Sequence, residues 1–141
     1  MERALSVGLG VIQPETIDRI NILQATRLAM TLAVNSLTPP ADYLLIDGPI
    51  SLDLSISQRA IIKGDRLSVS IAAAGILAKV NRDRLMQELH EQYPQYGFDT
   101  NKGYGTRAHK LALCRYGPSP LHRKSFQGVR ELLPELWQAT K

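Results

Sequence analysis

The chain has 141 residues, 44% of them hydrophobic and 21% charged, a length and composition that fit one globular domain burying roughly 68–70% of its unfolded surface and that exclude disorder. Its single cysteine, Cys114, excludes an intrachain disulfide or a cysteine zinc cluster, and the apolar stretch around residues 69–78 is far shorter than the ~20 residues that span a bilayer. The net charge of +4 is uneven: residues 1–58 carry 3 Lys/Arg against 6 Asp/Glu, and residues 59–141 carry 14 against 7.

Ala4–Ile12 is apolar and rich in small and β-branched residues, which predicts a strand. Pro14 and Glu15 open a helix to about Ser36, with Ile22, Ala25, Leu28, Ala29 and Leu32 on one face, and Thr38-Pro39-Pro40 ends it. Tyr43–Asp47 reads as a short buried strand stopped by Gly48-Pro49, and Arg59–Lys63 as another. Residues 67–92 read as a helix whose alanine-rich first half should lie sandwiched against the sheet. Tyr93–Thr106 is expected to be a loop, Thr106–Tyr116 a short helix that packs Cys114, Pro118–Ser125 a basic loop, and Val129–Ala139 a final helix carrying Leu132, Leu133, Leu136 and Trp137. Alternating strands and helices predict an α/β layered fold.

Several residues could carry chemistry. Asp47 and Asp65 are each read as ending a predicted strand, where ligands of open α/β sheets collect. Two hard carboxylates suit Mn²⁺ or Mg²⁺ beside phosphate oxygens, although a site for two ions normally draws on more than two acids. The structural alternatives are a simple Asp-Gly turn at Asp47 and a helix-dipole role for Asp65, with Ser68 as cap. Tyr104 lies in Asn101-Lys102-Gly103-Tyr104-Gly105-Thr106, where the flanking glycines admit a ligand to the backbone; its phenol could meet a ribose 2′-hydroxyl or merely plug the surface. Lys63, Lys102, Arg107, Lys110, Arg123 and Lys124 could follow a phosphate backbone or simply be solvated. His90 is expected on a wet helix face and His122 to be structural or phosphate-facing. The histidines lack HExxH spacing, and no GxSxG or P-loop pattern accompanies them.

Taken in order, Ile17–Leu23 (IDRINIL), Ile46-Asp47-Gly48, Lys63-Gly64-Asp65, the alanine-rich helix running to Arg82-Asp83-Arg84, Tyr93–Phe98 (YPQYGF), Lys102–Thr106 (KGYGT) and His122–Phe126 (HRKSF) resemble bacterial ribonuclease HII through most of the chain. Gly75 and Asn81 stand where that family would have serine and threonine. The resemblance implies a ribonuclease H-like mixed sheet flanked by helices, with a helical C-terminal segment. It also implies cleavage of the RNA strand of RNA–DNA hybrids and of DNA with embedded ribonucleotides, by two-metal-ion chemistry with Mn²⁺ or Mg²⁺. Asp47 and Asp65 match two metal-binding acids of the family, and Tyr104 matches its 2′-hydroxyl sensor.

The same resemblance leaves out a part: the family opens with a strand bearing adjacent Asp and Glu, followed by a Gly-Arg-Gly stretch, and Glu2-Arg3 is a poor substitute. The chain resembles the family's C-terminal two-thirds, with residues 1–93 a partial core lacking the first two strands and residues 94–141 a basic, helical segment of the same domain. Bare sheet edges would then favour self-association or completion by a partner chain, where the intact family is monomeric. Three readings follow from this: a cytoplasmic hybrid-cleaving endonuclease with part of its acids here and weak or no activity alone, a non-catalytic nucleic-acid binder, and a fragment that needs a partner.

Overall fold

In the computed structural model, residues 4–133 are described. The chain divides into two compact units between Ala78 and Lys79, and each has its own core. The first unit begins with an extended segment, followed by helix α1 (Pro14–Asn35), strand β1 (Tyr43–Asp47), strand β2 (Ser57–Ile61), the short helix α2 (Gly64–Leu67) and the start of α3 (Val69–Gln92).

Residues 4–12 do not form the expected strand. They run extended with Leu5, Val7, Leu9 and Val11 exposed, and no strand of the described residues pairs with them. Gly8 and Gly10 explain the placement: a β-carbon at Gly8 would overlap the carbonyl of Ala33, and one at Gly10 that of Ala29, so only glycine lets the segment lie directly on α1. Ser6 adds one tie, its Oγ accepting the Thr38 N–H at 2.8 Å.

Helix α1 starts where Pro14 predicts but is broken at Asn21, whose φ of 67° and ψ of 166° are not helical. The Asn21 Oδ1 accepts the Gln24 N–H at 3.1 Å, so the residue acts as the cap of a second helical stretch. The break resets the helical phase. Of the expected inward face, Ala25 is buried, whereas Ile22, Leu28 and Leu32 are exposed and Met30 and Val34 do the packing instead.

Strands β1 and β2 pair in parallel, with Tyr43 opposite Ser57 and Asp47 opposite Ile61. β2 lies two residues earlier than Arg59–Lys63 because Lys63 adopts a left-handed conformation (φ 57°) and turns the chain into α2. Only alternate residues of β1 are inside: Leu44 and Ile46 join Leu52 in the core, with Met30, Val34, Ala41, Ile50, Leu54 and Ile56 around them. The short connection between the strands is folded back by Gln58, which accepts from Leu52 N at 2.7 Å and donates to Leu52 O at 2.9 Å.

The alanine-rich half of α3 is not sandwiched. Ile71 is buried, but Ala73, Ala74 and Gly75 are exposed and Val69 is 88% exposed, because a sheet of two strands is too narrow to cover that face. The described residues thus leave much apolar surface in water, with Ile62, Leu67 and Ile76 also exposed.

The second unit packs around Tyr96, Phe98, Leu113 and Val129, with Met86, Leu89, Tyr93, Ala112 and Leu121 against them. The expected loop after Tyr93 contains a 3-10 turn (Pro94–Tyr96) and helix α4 (Phe98–Asn101), because Pro94 sets the first turn and Gly97, at φ 63°, restarts the chain. Helix α5 (Arg107–Tyr116) has Thr106 as its N-cap, the Thr106 Oγ1 accepting from His109 N at 3.2 Å. Cys114 is exposed rather than packed, since the inward face of α5 is set by His109 and Leu113. In place of the start of a helix at Val129, a 3-10 turn covers Arg130–Leu132; the rest of the expected helix, with Leu136 and Trp137, lies outside the described residues. No helix of the described residues is long and apolar enough to cross a membrane.

Candidate functional site

The first unit brings Asp47, Lys63 and Asp65 to one end of the parallel pair. β1 delivers Asp47 at its C-terminal end, and β2 leads through the left-handed Lys63 to Gly64 and Asp65. The Gly64 N–H donates to Asp47 Oδ1 at 2.8 Å, which fixes that carboxylate beside the first turn of α2, where Asp65 stands. Gly64 is buried, and a β-carbon there would sit 2.6 Å from Ile71 Cδ1 and 3.3 Å from Asp47 Oδ1. The site therefore needs glycine for close approach, a requirement invisible in the isolated Lys-Gly-Asp triplet. Ser68 separates α2 from α3, and its Oγ lies 3.5 Å from Ile71 N, a weak cap.

The donor set can be tested against a divalent ion. Asp47 and Asp65 are both exposed, and the backbone bond to Asp47 Oδ1 leaves Oδ2 available, so two hard oxygen ligands face outward. Among the described residues, no group of three His, Cys, Asp or Glu gathers as a metal cage. Two carboxylates fit an ion such as Mg²⁺, which keeps several waters and takes substrate phosphate oxygens as its remaining ligands.

The second unit presents Tyr104 at a loop tip, 68% exposed. The turn beneath it uses left-handed backbone at Lys102 (φ 51°) and Gly103 (φ 77°), and three bonds hold it: Gly103 N to Asn101 Oδ1 at 2.8 Å, Tyr104 N to Asn101 O at 2.8 Å, and Thr106 N to Tyr104 O at 2.8 Å. Arg82 approaches from α3; its Nη2 donates to Lys102 O at 3.1 Å and its guanidinium lies 5.8 Å from the Tyr104 ring centroid. Lys102 is half-buried, while Arg107 and Lys110 are exposed on the first turn of α5. Arg123 and Lys124 are half-buried, and Arg123 stacks over Phe126 at 4.6 Å, so it is not a freely solvated cation.

The histidines form a feature the sequence did not disclose. His109 and His122 are buried, with Nε2 atoms 3.3 Å apart, and His122 accepts from Ser119 N through Nδ1 at 3.0 Å. Burial, and second the neighbouring His109, hold the His122 pKa down at about 4. His122 is structural, the first of its two expected roles. His90 is half-buried and meets Asp99 of α4 at 3.1 Å instead of facing open water.

Comparison with known proteins bears on the family and the fold. Residues 3–129 match the Ribonuclease HII family. The Ribonuclease HII of Geobacter sulfurreducens is 56% identical over 132 residues, covering 94% of this chain and 61% of that protein. That of Syntrophobacter fumaroxidans is 61% identical over 124 residues, covering 88% of this chain and 53% of its own. This chain thus spans little more than half the length of these relatives. The crystal structure of the ribonuclease H2 from Pyrococcus horikoshii superposes with a TM-score of 0.67 over 92% of this chain and 68% of that one, at 22% identity, a likeness of fold. The α/β core, the ordered motifs and these relatives together place the chain in the ribonuclease HII family.

Proposed function

We propose that the chain carries two metal-binding acids and the ribose-recognition residue of an endonuclease that hydrolyses the RNA strand of RNA–DNA hybrids and cuts at ribonucleotides embedded in DNA. The observation that carries this reading is the Asp47 carboxylate, fixed by the Gly64 amide at 2.8 Å immediately before Asp65. Asp47 and Asp65 would hold Mn²⁺ or Mg²⁺, in the family's two-metal arrangement each contributing to a donor set completed by further acids. A bound divalent ion supplies Lewis-acid stabilisation of charge on the phosphate and activation of water.

The chain's own groups do the rest. The Gly64 N–H keeps Asp47 from swinging away when a phosphate approaches. Tyr104 offers its phenol to the ribose 2′-hydroxyl, the group that separates RNA from DNA. Lys63, Lys102, Arg107, Arg123 and Lys124 contact the backbone phosphates and fix the register of the duplex. With one cysteine and no need of a disulfide, the protein suits the cytoplasm, where it acts on nucleic acid.

A nicking assay on a DNA duplex containing a single ribonucleotide tests the reading. Wild-type chain with Mn²⁺ or Mg²⁺ should cut at that nucleotide, and EDTA should stop it. A folded chain that leaves the duplex intact would exclude catalysis by this chain. The cationic bias of residues 59–141 supports a second reading, a non-catalytic nucleic-acid binder that works with a partner chain. Its mark is binding that weakens as salt rises, since phosphate contacts release counterions; salt-insensitive binding would eliminate it.

A further inference from the structure

The Tyr104 loop is exposed at its tip, yet Asn101 and the histidines beneath it are buried. Asn101 is 8% exposed and commits both ends of its side chain: Oδ1 accepts the Gly103 N–H at 2.8 Å, and Nδ2 donates to Tyr96 O at 2.7 Å. Its carbonyl accepts the Tyr104 N–H. The Tyr96 carbonyl is also reached by His109 Nδ1 at 3.0 Å.

Hydrogen-bond logic assigns the protons. His122 Nδ1 accepts a backbone N–H, so in the neutral ring the proton sits on Nε2 and points at His109 Nε2. His109 must then carry its proton on Nδ1, where the Tyr96 carbonyl accepts it. Ser119, His122, His109, Tyr96 and Asn101 thus form one satisfied polar chain that ends at the amide before Tyr104. A buried network of this kind specifies a single geometry because any broken link leaves an unpaired group.

We propose that Asn101 is a positioning residue for ribose recognition, holding the Tyr104 phenol in register, with His109 and His122 as its buried support. This rests on the reading of Tyr104 as the group that meets the 2′-hydroxyl. The left-handed Lys102 shows why a support is needed: a non-glycine residue at positive φ persists where its surroundings over-determine it. A phenol already in place also avoids the ordering cost that a free loop would incur on binding.

The test is fluorescence anisotropy of the chain in EDTA on two labelled duplexes that differ by one ribonucleotide. Wild type should prefer the ribonucleotide duplex by roughly fivefold, the worth of one hydrogen bond. Tyr104→Phe and Asn101→Ala should each bring that ratio near unity, and the double variant should add nothing, while affinity for the all-DNA duplex stays put. Asn101→Asp keeps an acceptor for the Gly103 N–H but sets a carboxylate oxygen against the Tyr96 carbonyl, so it should lose the preference as Asn101→Ala does. If Asn101→Ala keeps the wild-type ratio while Tyr104→Phe loses it, positioning by Asn101 is wrong and the Tyr104 reading stands. If Tyr104→Phe keeps the ratio, both fall. Should Asn101→Ala not fold, amide exchange in the wild-type chain decides: Gly103 and Tyr104 should be protected, and exchange as fast as in an unstructured peptide would overturn the proposal.

Discussion

The acid corner and the tyrosine loop are built to different tolerances. Asp47 is pinned by one backbone amide, and both Asp47 and Asp65 face solvent near a helix whose apolar first turns are largely uncovered. Tyr104 is just as exposed, but its loop is anchored by Asn101, Arg82 and a pair of buried histidines. The contrast follows the chemistry proposed for each. A hard cation gathers flexible oxygen ligands around itself, so carboxylates tolerate loose placement, whereas reading one hydroxyl requires a donor and acceptor already in position.

The comparison can be broken first at the acids. Asp47→Asn should lower ribonucleotide nicking by about 10³-fold or more in Mg²⁺ or Mn²⁺, because several kcal/mol of charge stabilisation would be lost; unchanged rates would remove Asp47 from the metal site. The next effect belongs to the other unit and is a matter of pH. The His122 pKa is held at about 4, below the ordinary 6.5, so the folded state favours the neutral ring. That contribution is complete above pH 6.5 and lost as pH falls toward 4, at most about 3 kcal/mol. Thermal melts of wild type against His122→Asn should converge across that window, and a constant gap would contradict it.

Gly64→Ala sharpens the comparison, because the new methyl must displace Ile71 Cδ1 and press on Asp47 Oδ1. A loss of about 1–3 kcal/mol in urea unfolding is expected, together with reduced nicking; full activity would mean the corner is looser than its hydrogen bond suggests. The smallest effect is electrostatic. Arg107→Gln should reduce the slope of log K against log [salt] by about 1, equally on DNA and hybrid duplexes. A change on one duplex only would assign Arg107 to recognition instead.

What the sequence made legible was whatever local chemistry decides. Gly48-Pro49 marks the end of β1, and Thr106 marks the start of α5. Asp47 could be placed at a strand end because it follows a short apolar run, whereas Asp65, read the same way, lies in the first turn of α2. What stayed hidden depends on partners distant in the chain. Ala4–Ile12 has strand composition, but composition does not say whether a neighbour exists to pair with it. The Gly64 bond to Asp47 and the links from Asn101 to Tyr96, His109 and His122 arise only when the chain folds. Asn21, inside an apolar repeat, reads as helix until its side chain caps the residues after it.

The glycine pair at Gly8 and Gly10 carries a mechanical consequence. Two residues of extended chain advance about 6.6 Å and four residues of helix about 6.0 Å, so the steps of the two elements nearly coincide where Gly10 meets Ala29 and Gly8 meets Ala33. The match behaves like a vernier scale that reads true at one setting. Inserting a single residue between the glycines would bring a side chain down onto a helix carbonyl, so this segment should tolerate changes of its outward-facing side chains far better than any change in its length.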